Sequence, residues 1–344
     1  MLAFFDPEQL KHKPKFSLFS GAPKPNSEVA ERAKVLRAAL LQQGHELRIA
    51  KPHGISPVAA VHSQDYLHFL ENIYQRWQEI PGSSAEVIPN IHPNRTSGNE
   101  PCGIPKSAVG QAGWYMADTA CPISNDTWNS ALASANSAVG AAKHVMEGHD
   151  SAYALCRPPG HHAFADLAGG FCFLNNSAIA AQHLRLNFQK VAILDVDVHH
   201  GNGTQSIFYQ RNDILTVSLH ADTANFYPFF WGYSHELGDA QGTGFNYNFP
   251  LDHGTNDEEY LQTLKTALER ITEFSAQAMV IALGLDAYKG DPYKGLGVST
   301  QGFAKIAAEI AKLKLPTVLI QEGGYLSEAL GDNLNSFLSG FENG

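Results

Sequence analysis

Short apolar segments alternate with amphipathic segments along most of the chain. The apolar segments, such as KVAIL and TVLI, are typical of strands buried on both faces, and the segments between them repeat apolar residues at helical spacing. This alternation predicts an α/β fold in which helices cover both faces of a parallel sheet. The predicted elements are a helix at 130–148, a strand at 151–156, a helix at 175–186, strands at 190–197 and 213–220, a helix at 257–274, a strand at 278–286, a helix at 300–313 and a strand at 316–324.

The carboxyl ends of the predicted strands carry most of the unusual polar residues. In parallel α/β sheets, ligands bind at these ends, and the ends of all strands lie along one edge. We therefore expect one reaction site there. The segments concerned are RPPGHH (157–162), DVDVHHGNG (195–203), SLHAD (218–222), GLDAYKGDP (284–292) and QEGGY (321–325).

One long stretch, 80–127, is rich in Pro, Gly, Ser and Asn. Loops of this length without a function are uncommon in compact domains. We interpret the stretch as a functional loop insertion within a single domain that spans 1–344.

The composition limits the partners and the compartment. The net charge is -10, and no Lys/Arg cluster is present to neutralise phosphates, which argues against nucleic acid and favours cationic ligands. The four cysteines lack the spacing of a disulfide framework or a CxxC pair and are predicted to be reduced. No apolar run reaches membrane-spanning length and no signal peptide is recognisable, so we expect a cytoplasmic protein without a membrane partner.

The string DVDVHH predicts a metal site. Asp197 and His199 are two positions apart, so they point to the same face if the strand continues through them, and Asp195 shares that face. Asp286, at another strand end, is the best third ligand. A His/Asp/Asp set with an open position for water suits Zn²⁺ or Fe²⁺. A lone aspartate at a strand end is more often a cap or a loop acceptor, but the combined pattern favours a metal.

Further strand-end residues are candidates for proton transfer. His161 and His162 follow a stiff Pro-Pro-Gly turn, and paired imidazoles titrate near neutral pH. Asp195 is available to orient one of them and Asn202 the other. Tyr325 follows two glycines, and its hydroxyl is suited to polarising an amide carbonyl beside a metal ion, although a packing role is an equal alternative for the tyrosine alone.

Taken together, RPPGHHA, GGFCFLNN, DVDVHHGNGTQ, SLH, GLD and EGGY resemble, in order and spacing, the histone deacetylase superfamily, and most closely its bacterial acetylpolyamine amidohydrolase branch. The resemblance extends over nearly the whole chain. It implies the arginase–deacetylase fold, with a central parallel sheet of about eight strands and helices on both faces. It also implies a zinc-dependent deacetylase that acts on small acetylated cationic amines, as a homodimer in which the insertion contacts the other subunit.

The resemblance implies a role for each matching residue. His161, His162 and Tyr325 fall on catalytic positions, with His162 as the general base and acid, and Asn202 in place of the more usual Asp makes His162 less basic. The zinc ligands are Asp197, His199 and Asp286; the structural potassium ligands are Asp195, Asp197, His199, Ser218 and Leu219; and the substrate tunnel is walled by Gly170, Phe171 and Tyr227.

The entrance departs from the polyamine-specialised members. They place acidic residues where this chain has Val109 and Ala120, and the nearby acids are Glu100 and Asp118. We therefore expect short acetylated diamines, such as acetylcadaverine and acetylputrescine, to be used at least as well as acetylated polyamines.

Three alternatives stand beside this interpretation. A protein acetyl-lysine deacetylase shares the chemistry, but an insertion that narrows the entrance would exclude a folded protein. A two-manganese ureohydrolase needs more aspartates than GLDAYKGDP supplies. A catalytically inactive sensor of acetylated cations is disfavoured by the complete set of candidate catalytic residues.

Overall fold

The computed structural model describes residues 1–93 and 103–344. The strands in these ranges are β1 (Leu2–Phe4), β2 (Phe16–Phe19), β3 (Ala22–Pro25), β4 (Glu46–Arg48), β5 (Ser151–Ala154), β6 (Val191–Asp195), β7 (Ile214–Ala221), β8 (Asn246–Leu251), β9 (Ala278–Leu283) and β10 (Thr317–Gln321). The α-helices are α1 (Ala30–Gln42), α2 (Ser56–Ala59), α3 (Gln64–Gln78), α4 (Ala108–Tyr115), α5 (Thr127–Met146), α6 (Asn176–Leu184), α7 (Asn202–Phe208), α8 (Asp257–Phe274), α9 (Thr300–Ala311) and α10 (Leu330–Asn343).

Eight strands form one parallel sheet in the order β4-β1-β5-β10-β9-β6-β7-β8, and β2 and β3 form a separate antiparallel pair. The predicted α/β class and the expected number of strands are confirmed. All five strand-end segments belong to this sheet, so their polar residues emerge along the same edge.

The sheet separates two apolar cores. In β9, Ala278 and Val280 pack into the core formed with α3, α5 and α6, whereas Met279 and Ile281 pack into the core formed with α1, α8, α9 and α10. Successive residues of a strand point to opposite faces. Both faces are therefore buried, which is why the central strands are continuously apolar in sequence.

Five of the ten α-helices in the described residues, α3, α4, α6, α8 and α9, begin after a residue whose side chain accepts a backbone N–H of the first turn. Asn256 accepts the N–H groups of Glu258 and Glu259, while the Glu259 side chain accepts the N–H of Asn256, a complete capping box at the start of α8. Asn175 caps α6 by accepting the N–H of Ala178 at 2.9 Å.

The strand predicted at 190–197 ends earlier, at Asp195. Oδ1 of Asp195 accepts the N–H of Asp197 at 3.1 Å, and Oδ1 of Asp197 accepts the N–H of His199 at 2.9 Å. These carboxylates take backbone donors that a continuing strand would give to its neighbours. The predicted strand end is therefore wrong, so the condition under which Asp197 and His199 would share a strand face is not met, and both lie in the loop after β6.

The stretch 80–127 contains regular structure where it is described. Helix α4 lies within it, and Val87 pairs with Ile123 in an antiparallel bridge. Residues 116–118 lie beside residues 169–171, the GGF segment. Met116 forms a parallel β-bridge with Ala168, the residue that precedes this segment. In the part of the chain covered by the structure, no helix combines the length and the apolar character required to cross a bilayer.

Candidate active site

Asp197, His199 and Asp286 meet at the carboxyl edge of the sheet, and all three are buried. Nδ1 of His199 lies 3.1 Å from Oδ1 of Asp197 and 3.3 Å from Oδ2 of Asp286. One ligand atom from each residue lies within 4.8 Å of the other two. The three residues are therefore close enough to be candidate ligands of one ion.

The surrounding backbone holds the two carboxylates in place. The Gly323 N–H donates to Oδ2 of Asp197 at 2.7 Å, and the Val198 N–H donates to Oδ1 of Asp286 at 3.2 Å. Gly323 is the residue that permits this approach, because a Cβ there would collide with Oδ2 of Asp286.

The donor set fits a divalent metal ion. Oδ2 of Asp286 is buried without a hydrogen bond of acceptable geometry to any described residue, and leaving a buried acceptor unpaired is costly. Two carboxylates and an imidazole, with no thiolate among them, are ligands that suit Zn²⁺ or Fe²⁺.

The tandem histidines lie beside this cluster, each with its own acceptor. Nδ1 of His161 is 2.9 Å from Oδ2 of Asp195, and Nδ1 of His162 is 2.7 Å from Oδ1 of Asn202. The centroids of the two rings are 4.0 Å apart, and those of His162 and His199 are 5.9 Å apart.

Their surroundings give the two imidazoles opposite protonation states. Burial alone would lower the pKa of His161, but Asp195 and Asp197 raise it to about 10. Burial, together with the neighbouring His161 and His199, holds the pKa of His162 well below its usual range. At neutral pH the pair therefore contains one charged ring and one neutral ring, and the neutral ring of His162 can accept a proton.

Glu322, to which the sequence interpretation gave no role, fixes the loop that carries both histidines. Its Oε2 accepts the N–H groups of Gly160 and His161 at 2.6 and 3.1 Å, and its Oε1 accepts the Ser177 hydroxyl at 2.7 Å. Burial raises the pKa of Glu322 to about 7. An acidic residue directly after the apolar strand β10 was the available signal.

Tyr325 is buried beside the cluster, after Gly324 at φ +112°. Its backbone N–H donates to Oδ2 of Asp291 at 2.9 Å, and the Arg32 guanidinium lies 4.9 Å from the centre of its ring. Tyr293 packs edge-on against it with ring centroids 4.6 Å apart. The sequence indicates no role for Asp291, Arg32 or Tyr293, because their contacts with Tyr325 join segments that are distant in sequence.

The predicted tunnel residues surround the histidines. Phe171 is buried with its ring centroid 6.0 Å from that of Tyr325, and Tyr227 packs edge-on against His162 with centroids 4.9 Å apart. Gly170 has φ +51°, and a Cβ there would collide with Cδ2 of His162. Phe226, missed in the sequence, stacks on His199 with centroids 5.0 Å apart.

The Asp118 carboxylate is hydrogen-bonded and is not a free carboxylate at the entrance. Its Oδ2 accepts the Tyr227 hydroxyl at 2.6 Å and the Gly170 N–H at 3.0 Å. Val109 packs against the apolar core, and Ala120 donates its N–H to Oδ1 of Asp118 at 2.8 Å. Glu100 lies outside the described residues.

Three of the predicted potassium ligands, Asp195, Ser218 and Leu219, lie on the adjacent strands β6 and β7, whereas Asp197 and His199 lie in the loop after β6. Asp195 pairs with Ser218 in the sheet register, and Leu219 follows directly. The Ser218 hydroxyl is 2.8 Å from Nδ1 of His220. Asp195 and Ser218 also line a small cavity of about 10 Å³.

Known proteins resemble this chain in both sequence and structure. The histone deacetylase domain matches residues 26–341. An acetylpolyamine amidohydrolase of Burkholderia pseudomallei is 44% identical over 342 residues, covering 99% of this chain and 98% of that protein. One of Mycoplana ramosa is 38% identical over 342 residues, covering 99% of each. The crystal structure of an acetylpolyamine aminohydrolase from Burkholderia pseudomallei superposes with a TM-score of 0.94 at 43% identity, covering 99% of this chain and 98% of that one.

Proposed function

The chain belongs to the histone deacetylase family and is a deacetylase of the hydrolase class, and we propose that it hydrolyses the acetyl amides of small cationic amines. Acetylated diamines and polyamines are the proposed substrate class. The observation that carries this proposal is the end-to-end similarity to acetylpolyamine amidohydrolases.

Asp197, His199 and Asp286 would hold the metal ion, which we propose to be Zn²⁺, with Fe²⁺ as the alternative that the same donors accept. When bound, the ion supplies Lewis-acid chemistry, polarising the acetyl carbonyl and acidifying a water molecule. Charge favours this assignment, because the site concentrates two buried carboxylates.

His162 is the proposed general base. The Asn202 carboxamide oxygen is an acceptor, so Nδ1 of His162 carries the ring proton and donates it across the 2.7 Å contact. Nε2 is left with a free lone pair, and the low pKa of this ring keeps it neutral at physiological pH. His162 can therefore take the proton of the attacking water and pass it to the leaving amine.

Tyr325 and His161 are proposed to stabilise charge. The Tyr325 phenol remains protonated, because burial raises its pKa well above the usual value, so it can donate to the developing oxyanion of the acetyl carbonyl. The charged ring of His161 bonds to Asp195 and lies 3.8 Å from Oδ1 of Asp197. It thereby offsets part of the negative charge of the carboxylates.

The tunnel favours an unbranched acetylated amine. Phe171 and Tyr227 would enclose an aliphatic stem, while the net charge of -10 favours a free ammonium at its far end. Val109 and Ala120 offer no acid to bind a second ammonium, and the Asp118 carboxylate is already hydrogen-bonded.

A kcat/KM comparison tests the proposal with acetylcadaverine, acetylputrescine, acetylspermine and an acetyl-lysine peptide. We expect the two diamines to match or exceed acetylspermine and to exceed the peptide. An advantage of about tenfold for acetylspermine, about 1.4 kcal/mol, would contradict the short-substrate proposal and indicate an entrance cation site. Preference for the peptide would indicate a protein deacetylase.

Two further assignments from the family belong to the proposal. A structural potassium ion would be held by Asp195, Asp197, His199, Ser218 and Leu219. The insertion at 80–127 would contact a second subunit, and its exposed side chains Ile91 and Ile104 support this assignment because they are apolar. A monomer with full activity at high dilution would contradict the dimer.

A further inference from the structure

We propose that His144, Glu147 and His149 form a second metal site, which binds a divalent transition-metal ion, Zn²⁺ foremost, at the end of α5. One ligand atom from each residue lies within 4.8 Å of the other two. The set consists of two imidazoles and a carboxylate, and these donors bind first-row metals such as Zn²⁺, Ni²⁺ and Cu²⁺.

The local fold brings the three side chains together. His144 and Glu147 are three residues apart at the carboxyl end of α5, so they are neighbours on one helix face. Gly148 then adopts φ +98° as the helix ends, with its N–H bonded to the Val145 carbonyl at 3.0 Å. This left-handed turn reverses the chain, and glycine is the residue that adopts it most readily.

The turn places His149 directly over His144. The two rings are stacked with centroids 3.7 Å apart and an interplanar angle of 13°. The Phe4 ring of β1 packs edge-on against His144, with ring centroids 6.3 Å apart.

Two basic residues lie near the site, and one of them is paired with a carboxylate. Arg48, on the adjacent strand β4, is paired with Glu46 at 2.7 Å, so its charge is compensated. Lys143 contacts Nδ1 of His53 at 3.1 Å. Glu147 and His149 are exposed and His144 is half-buried, so an ion can enter directly from solvent.

The site lies at the opposite edge of the sheet from the catalytic cluster. His149 precedes the amino end of β5, whereas His161 and His162 follow its carboxyl end. A metal ion here would join the end of α5 to the segment that enters β5. We therefore assign it a stabilising role that is independent of the proposed deacetylation.

Metal counting after equilibrium dialysis against micromolar Zn²⁺ tests the site. We expect about two ions per chain in the wild type and about one in His144→Gln/His149→Gln, because the variant lacks two of three ligands. The control variant His68→Gln/His235→Gln removes two exposed histidines from other surfaces and should keep both ions. Equal counts in the wild type and the His144/His149 variant, or an equal loss in the control, would overturn the proposal.

Two measurements address the geometry and the role. Gly148→Ala retains every ligand but disfavours the left-handed turn, so it should bind the second ion more weakly; unchanged affinity would contradict the part assigned to the turn. Adding Zn²⁺ should raise the Tm of the wild type more than that of His144→Gln/His149→Gln. The same Tm increment in both proteins would contradict the stabilising role. An unchanged kcat in the variant would show that the second site does not affect catalysis.

Discussion

The Tyr227 hydroxyl donates a 2.6 Å hydrogen bond to Oδ2 of Asp118, and the same oxygen accepts the Gly170 N–H at 3.0 Å. One carboxylate from the stretch 80–127 thus connects two residues on opposite sides of the candidate tunnel. The contact also explains why Asp118 is a poor candidate for binding a substrate ammonium, since moving it would leave two partly buried donors unpaired.

A double-mutant cycle measures this connection. Asp118→Ala and Tyr227→Phe should each lower kcat/KM for acetylputrescine, because each frees one wall of the tunnel. The double variant should lose less than the sum of the two, with a coupling energy of about 1 kcal/mol, about fivefold in kcat/KM. Additive losses would show that the two side chains act separately. Asp118→Asn, which retains an acceptor oxygen, is the matched control and should retain most of the activity.

Removing the Tyr325 hydroxyl tests oxyanion stabilisation. Tyr325→Phe should lower kcat by about 10²–10³, the usual cost of losing one such donor. KM should change little, because the hydroxyl matters most when charge develops on the carbonyl oxygen. Tyr293→Phe is a suitable comparison, since it alters the aromatic neighbour of Tyr325 and keeps the catalytic hydroxyl. Wild-type kcat in Tyr325→Phe would remove this role.

Chelation should abolish activity, and added Zn²⁺ should restore it. In the His144→Gln/His149→Gln background, Asp286→Asn should lower the remaining zinc affinity by more than the roughly 10–100-fold that is typical for residues supporting a ligand. The affinity is measured by competition with a chelator, and kcat should fall in parallel. Retention of tight zinc binding by Asp286→Asn would exclude Asp286 as a ligand.

Stability should fall in mild acid because of His62. Its Nε2 accepts the Asn175 N–H at 2.9 Å, which requires a neutral ring, and burial lowers its pKa to about 4. Below pH about 6.5 the unfolded chain binds a proton that the folded protein excludes, so the free energy of unfolding decreases as pH falls towards about 4, by about 1.4 kcal/mol per pH unit for this group.

His62→Gln isolates that contribution. The introduced amide oxygen can still accept the Asn175 N–H, but the side chain no longer titrates, so the pH slope of the unfolding free energy should decrease by about one proton between pH about 6 and about 5. Denaturant titrations at constant metal content provide the measurement. An unchanged slope would show that His62 is protonated in the folded protein.

Continuous apolar runs identified the central strands, which are buried on both faces, and helical spacing of apolar residues identified the helices between them. Strands β5, β6, β7, β9 and β10 and helices α5, α6, α8 and α9 were all predicted, within a few residues at their ends. Strands β1 and β4 were missed because they contain three residues each, too few to show a period. In β8, Asn248 and Pro250 interrupt the apolar pattern, which is permitted because this strand lies at the edge of the sheet.

The candidate site was predicted less completely than the sheet. Metal-capable and titratable residues are visible in motifs, so Asp197, His199, Asp286 and the tandem histidines could be selected directly. The hydrogen-bonding roles of Glu322 and Asp118 could not be predicted, because they depend on backbone N–H groups from segments distant in sequence. Such hydrogen bonds form only when the chain has folded.

The strand order also determines when the site can exist during synthesis. Strands β9 and β10 are translated last, yet they occupy the middle of the sheet, between β5 and β6. Before they emerge from the ribosome, β4-β1-β5 and β6-β7-β8 have no strand to join them, and such long-range pairing is slow to form. Asp286 and Tyr325 follow these two strands directly. A nascent chain can thus fold its flanks early, but the three proposed metal ligands come together only when β9 and β10 are inserted.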